Sequence, residues 1–419
     1  LVAVKLLLVD SYSSTDLEVH RNWMAITDHC PLAEWYTEET SESTLDYPPF
    51  FAYLEKFVSV IARSLGFSDI LSLQSTPLLT RRVRIFMRLS VIVADLFFAL
   101  SCILLYRHSQ GWKSRRCCFG VYLLLLTHTS FVLLDNIHFQ YNAFLTSLLL
   151  LSFIFISRGS LLLAAFAYAV LLNFKHIYLY YAPGYVIFYL IGYFSLEGVP
   201  GCKVVAIIKR GGNIEFIFIC LILCCVECRF FVWSGGPSQL VHILSRLFPI
   251  KRGLTHAFWA PNAWAIYNSL DLLLFRLATL LHFSPPPAEY TSGLVQEYSH
   301  SVLPSVGVGF SLVALFLSLF PLLGLLRRPP FPLSSSLSLA ALSLLLSAFS
   351  FFLFGYHVHE KAILLLLVPM IVLAGQHAFF APLLLDVTVI TSGTLAPLLF
   401  SLPERPLRLC FLLTQVSSS

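Results

Sequence analysis

The sequence predicts an all-α polytopic membrane protein, and three observations carry that reading. The 419 residues are 58% hydrophobic and 12% charged, with a mean hydropathy of +0.80, whereas water-soluble domains carry about 25% charged residues. Mostly apolar stretches of roughly 18 residues recur along the chain, each long enough to cross about 30 Å of hydrocarbon as a helix. The period-two alternation of a transmembrane β-barrel is not seen, and the 37 Phe and 18 Tyr suit lipid-facing helices and interfacial belts.

Taken in order, LVAVKLLLV (1–9) looks like the tail of an apolar segment, and both ends of the chain read as cuts through a longer protein. Segment 10–82 is polar. Within it FFAYLEKFVSVIARSL (50–65) is too polar to span but repeats its apolar positions at helical spacing, so it reads as an in-plane interfacial helix. Roughly ten spans follow, some short or tilted, at 85–106, 117–134, 143–157, 160–174, 178–194, 214–233, 303–326, 332–354, 362–375 and 378–400. Between 233 and 303 lies a long loop. The whole is one membrane-embedded domain, with helices over 83–233 and 303–400 and loops over 10–82 and 234–302.

Charge orients it. Arg107, Lys113, Arg115, Arg116, Arg158, Lys203, Lys209, Arg210, Arg327 and Arg328 fall in alternate short loops, which the positive-inside rule assigns to the cytoplasm. The opposite side receives 10–82, DNIHFQYN (135–142), NFKHIYLY (173–180), 234–302 and YHVHEK (356–361). Every polar cluster able to do chemistry falls there, although basic loops alone made the partition. The net charge of +5 is accounted for by orientation and implies no nucleic-acid partner. Several of the ten Cys sit in apolar runs, including Cys220, Cys224, Cys225 and Cys228, where a thiol packs as a small hydrophobe; no disulfide framework follows.

Ionisable residues at or inside a membrane need a reason. STDLEVHRNW (14–23) and LDYPPFFAYLE (45–55) set Asp16 and Asp46 near Glu18, His20, Arg21 and Trp23. A carboxylate can take a proton from an attacking hydroxyl, aromatic rings stack on sugars, and cations hold phosphate; alternatively Asp16 and Arg21 simply neutralise each other. His357, His359, Glu360 and Lys361 precede an apolar run, which suits either a metal site or an anion clamp at a helix start. The adjacent Lys361 favours the clamp. Lys175 and His176, and His138, Gln140 and Asn142, are candidates that could equally be interfacial anchors or a solvated hairpin tip.

Together DLEVHRNW, LDYPP, IHFQYN, FKHIYLY, SRLFPIKRGL and HVHEKAILL resemble the dolichyl-phosphate-glucose-dependent glucosyltransferases of N-glycan assembly, across nearly the whole chain. THAFWAPNAWAIYNSLD (255–271) and TSGLVQEYSHSVLPSV (291–306) look like the branch that adds the second glucose. The resemblance implies a GT-C type fold in the endoplasmic reticulum membrane, with the active site on lumenal loops. It implies transfer from dolichyl-phosphate glucose to a dolichyl-diphosphate-linked oligosaccharide, by inversion, forming an α-1,3 linkage. It implies no cofactor and no metal. Asp16 matches the family's proposed general base and Asp46 a second acidic position; Lys361, His359, His357, Lys175 and His176 would hold the donor phosphate. Glu18, Arg21, Trp23, His138, Gln140, Asn142, Glu360 and Arg252 would meet sugar or acceptor. The first-glucose enzyme of the same family, a lipid-linked sugar transporter or scramblase, and a non-catalytic subunit are the competing readings. RPLRLCFLLTQVSSS (405–419) departs from the family's pattern.

Overall fold

A computed structural model describes residues 1–108, 115–192, 231–248, 253–256, 260–286, 299–326, 335–398, 406 and 409. Among them the regular structure is helical, with an isolated parallel bridge between Thr255 and Val358. The helices used below are α1 (Val2–Leu7), α2 (Thr15–His29), α3 (Pro49–Ser64), α4 (Arg81–His108), α5 (Arg115–Thr127), α6 (Asn142–Ser157), α7 (Leu161–Phe174) and α8 (Ala182–Gly192). They continue with α9 (Ser238–Leu247), α10 (Ala263–Leu280), α11 (Val308–Ser318), α12 (Ser336–Phe354), α13 (Leu364–Gln376) and α14 (Ala381–Leu395).

Among the described residues four helical stretches are long and apolar enough to cross a membrane: Arg81–His108, Phe119–Ile137, Ser336–Phe354 and Ala378–Leu398. Three shorter apolar stretches, Asn142–Ser157, Leu161–Phe174 and Val308–Gly324, accompany them. Several expected spans are broken rather than continuous. The run at 117–134 breaks at His128, resumes as an α-helical turn over Thr129–Phe131 and passes into a π-helix over Val132–Ile137. The run at 178–194 begins as a 3-10 turn over His176–Tyr181. Pro321 stands in the first turn of the short helix that follows α11, where its missing amide proton costs least. The span at 214–233 lies almost wholly outside the described residues, as do Cys220 to Cys228.

The stretch read as a long loop contains α9 and α10. Asn262 caps α10 by accepting from the Ala265 amide at 3.0 Å. This helix is polar inward and apolar outward: Asn268 and Asp271 are buried, while Ile266, Leu273 and Leu280 are 73%, 53% and 75% exposed. Asp271 accepts the amides of Ser301, Val302 and Leu303 at 2.7–2.9 Å, closing the far end of the stretch.

Two cores result. One joins α4 to α8 with α12 and α13, and α13 is buried along its whole length. The other packs α2, α3 and the start of α4 around Trp23, Tyr36 and Phe51, so 50–65 does form the expected amphipathic helix, with Phe51, Ala52 and Val58 inward and Phe57 and Val60 outward. Residues 138–142 run along the seam, with Phe139 and Tyr141 in the second core and Ala143 in the first. Buried charges hold the seam. Arg88 of α4 donates to the carbonyls of Val9, Tyr12 and Ile137 at 2.6–3.0 Å, and Lys5 of α1 pairs with Asp95 at 2.5 Å.

Candidate active site

At that seam four segments distant in sequence converge. Asp16, in the first turn of α2, receives through its Oδ2 the Lys361 ammonium at 2.6 Å and the Gln140 amide at 2.6 Å, with His138 Nε2 at 3.4 Å. Burial works to raise this carboxyl, yet the charges of Lys361 and His138 outweigh it and hold Asp16 well below the usual carboxylate range.

Local backbone explains the approach of His138 and Gln140. Phe139 between them has φ of +78°, a left-handed conformation costing about 1–3 kcal/mol in a non-glycine residue. Ser14 Oγ donates to the His138 carbonyl, which ties the start of α2 to this turn. His138 Nδ1 lies 3.0 Å from the Tyr12 hydroxyl, and that hydroxyl donates to the Leu398 carbonyl at 2.7 Å. Asp135 accepts the amides of Asn142 and Ala143 at 3.1 and 2.6 Å, capping α6.

Lys175, between α7 and the following 3-10 turn, donates to Asn142 Oδ1 at 3.3 Å and Gln140 Oε1 at 3.4 Å. Its ammonium also stands 4.9 Å from the Tyr47 ring centroid. Burial first, and the Lys361 charge second, push its pKa down to about 8. Gln140 therefore bridges the two cations' neighbourhoods, its amide nitrogen on Asp16 and its oxygen toward Lys175.

A cavity of about 390 Å³ opens beside this network. Asp46, Lys175, His176, His357, His359 and Lys361 line it together with the apolar Tyr180, Phe248, Val308 and Phe351. Thus Asp16 meets Lys361 across 345 positions of sequence, and the five residues expected to hold phosphate line one cavity.

Other expected residues go elsewhere. Arg21 does not neutralise Asp16: it holds Glu18 at 2.6 and 2.9 Å and donates to the carbonyls of Ile70 and Ser72. Trp23 is 1% exposed and gives its indole proton to Thr44 O. These three residues therefore build the second core, where the buried guanidinium has its hydrogen bonds met by one carboxylate and two carbonyls. Glu360 is 1% exposed and turns to His256, with Nδ1 at 3.2 Å. Arg252 lies outside the described residues. Sequence reasoning passed over Tyr12, Arg88, Arg246 and His256. Arg246, which lines the cavity, sits inside the quoted SRLFP segment and bonds Thr44 Oγ1 at 3.2 Å; His256 sits inside the quoted THAFWAP segment, but its partner Glu360 lies 104 residues later.

Long apolar helices, with part-buried carboxylate and ammonium groups meeting beside a cavity among the described residues, define a membrane protein. The model of the ALG6, ALG8 glycosyltransferase family matches residues 1–418, and the chain belongs to that family. It is 46% identical, over 96% of its length, to a Caenorhabditis elegans protein named dolichyl pyrophosphate Glc1Man9GlcNAc2 alpha-1,3-glucosyltransferase, and covers 52% of that protein. Relatives of the same name in Mus musculus and Arabidopsis thaliana are 39% and 38% identical, over 98% of this chain and 78% of each relative. The chain thus spans about half the length of the nematode relative and more of the other two. Among solved structures, ArnT from Cupriavidus metallidurans bound to undecaprenyl phosphate aligns with a TM-score of 0.46 and 13% identity, over 99% of this chain and 69% of that one.

Proposed function

We propose that the protein transfers glucose from dolichyl-phosphate glucose to Glc1Man9GlcNAc2-diphosphodolichol, forming an α-1,3 linkage with inversion, on the lumenal side of the endoplasmic reticulum membrane. The observation that carries this reading is the 2.6 Å contact between Asp16 and Lys361, whose lysine lines a cavity that mixes charged and apolar side chains. Such a cavity suits a sugar phosphate borne on a long apolar chain. Names shared by the relatives supply the acceptor; the donor and the location follow from the family resemblance of the motifs.

In the proposed reaction the acceptor hydroxyl attacks the anomeric carbon on the face opposite the phosphate, and the bond from that carbon to the phosphate oxygen breaks as the new one forms. The hydroxyl proton passes to Asp16. Lys361, Gln140 and His138 all approach Oδ2, which leaves Oδ1 as the oxygen that would take the proton. Charge growing on the departing dolichyl phosphate is met by Lys361 and Lys175, with His176, His357 and His359 lining the same cavity. Asp46 supports the acceptor side. One carboxylate suffices, since the phosphate leaves without needing a proton, unlike the two-carboxyl chemistry of glycoside hydrolysis.

The test is Asp16→Asn in the full-length protein, expressed in cells lacking the wild type. Transfer in microsomes should fall about a hundred- to ten-thousand-fold with membrane insertion intact, and the monoglucosylated lipid-linked oligosaccharide should accumulate. Near-normal turnover would remove Asp16 from its role, and accumulation of the unglucosylated species would move the protein to the preceding step.

A further inference from the structure

Beside Asp16, α2 carries a second polar group that the proposed chemistry leaves unused. His20 lies one turn later, so the two side chains leave the same face of the helix. The imidazole is 3% exposed and sits among five aromatic rings, with centroid separations of 4.8 Å to Trp23, 5.2 Å to Phe51, 5.3 Å to Phe139, 5.6 Å to Tyr141 and 6.1 Å to Tyr47. Its Nδ1 stands 2.8 Å from Oε1 of Glu55, which reaches in from α3 and is 1% exposed. Glu55 Oε2 has no hydrogen-bond partner among the described residues, and burial, opposed by His20, pushes this carboxyl up.

Packing energy does not account for such a pair. Apolar side chains of similar volume in a buried place of this kind often give equal or greater stability. What the pair does is fix the direction of the imidazole, because the ring cannot turn without breaking a hydrogen bond in a dry core. Phe139 and Tyr141, two of the rings it touches, bracket Gln140, whose amide donates to Asp16. Phe139 is also the residue held at φ of +78°, a conformation that persists only where the surroundings enforce it. Another neighbour, Tyr47, lies under the Lys175 ammonium and lines the cavity. One oriented imidazole therefore touches both sides of the Gln140 turn and the ring beneath a donor-facing lysine.

We propose that His20, held by Glu55, is a positioning residue that pins the Phe139 turn and the Tyr47 ring against the centre built on Asp16. It touches no substrate, and the inference rests on the reading of Asp16 as the base. Asp16 faces Lys361, Gln140 and His138, with Lys175, His359 and Tyr47 the further titratable groups in its field. Of these, Gln140 and His138 flank Phe139 in the turn that His20 holds. Release of that turn leaves the carboxylate with fewer partners for its negative form, so its pKa rises and the base is lost to protonation at a higher pH.

The experiment replaces the pair by leucines in the full-length protein, His20→Leu with Glu55→Leu, and reads stability, kinetics and structure in nanodiscs. The unfolding temperature should hold or rise. Turnover should fall about ten- to a hundredfold, while the acidic limb of the kcat/KM profile moves to higher pH. A cryo-electron microscopy structure should show Gln140 withdrawn from Asp16; this arm needs no turnover, so it decides the positioning role even if Asp16→Asn proves active and the base reading fails. Glu55→Gln, whose amide oxygen accepts the same hydrogen bond, should keep most of the turnover. If the double variant does not insert, His20→Gln, which keeps a donor for Glu55 and gives up the ring, carries the same expectations for the acidic limb and for Gln140. A Gln140 turn left in place would overturn the inference, as would an unmoved acidic limb with Asp16 verified as the base, or Glu55→Gln as impaired as the leucine pair.

Discussion

Lys175 is the residue whose ionisation reads out most directly. Its ammonium faces Asn142, Gln140 and the Tyr47 ring, with Lys361 opposing its charge and Asp135, Asp16 and Asp46 favouring it. The folded pKa of about 8 lies below the ordinary 10.5, so from pH 8 to 10.5 the unfolded chain binds the proton that the folded protein has released. Stability contributed by this site therefore rises with pH across that window, while donor affinity falls as the charge facing phosphate disappears. Donor KM measured against pH should climb above 8 by an amount worth about 1.5–3 kcal/mol, and Lys175→Met should show a high KM with that limb absent. A flat wild-type profile would take Lys175 out of donor binding. At this scale the sequence was informative where residue type alone restricts the chemistry: an aspartate beside a membrane and a lysine beside paired histidines had few inert explanations. It misled where partners decide. Glu18, Arg21 and Trp23 sit in the same motif as Asp16 but face inward, and only packing separates the two sides of α2.

Helices that meet backbone to backbone set the tightest constraint among the elements. A Cβ added at Gly184 of α8 would stand 2.6 Å from Ser343 O and 2.9 Å from Leu344 Cα of α12. Backbone atoms cannot swing aside, so Gly184→Ala should destabilise the protein by about 1–3 kcal/mol, seen as a lower unfolding temperature in detergent. Gly393→Ala in α14 has open space around its new methyl and should be neutral or slightly stabilising, since alanine is the better helix former. Equal effects would mean that α8 and α12 are not so closely apposed. Apolar runs made α4, α6, α7 and α12 legible to within a few residues. The breaks at His128, Tyr181 and Pro321 were not, because composition stays apolar through a change of helix type. α10 lies in the stretch read as a long loop, and it is a helix that hides Asn268 and Asp271 while showing its leucines outward.

For the whole molecule, the separation of polar clusters from basic loops already implied one site on one side of the bilayer, and the meeting of segments near 16, 140, 175 and 361 follows that partition. What no one-dimensional reading could supply was the seam between two cores, because it depends on Arg88 and Lys5 drawing the chain start against α4. Truncating residues 1–9 should therefore disturb the centre despite its distance in sequence. It leaves Asp95 without its cation and Arg88 without the Val9 carbonyl, a loss of about 3–5 kcal/mol for a broken buried pair. Unfolding temperature reports this, and no change would show that the seam holds without that segment.

The close contact between Asp16 and Lys361 carries one more implication. The carboxylate is a built-in rival for the incoming phosphate: any anion seated on Lys361 must first win it away. Asparagine at position 16 ends that contest. The same substitution that stops turnover should tighten equilibrium capture of dolichyl phosphate by about 1 kcal/mol or more, and weaker capture would mean that the two anions never compete for one ammonium.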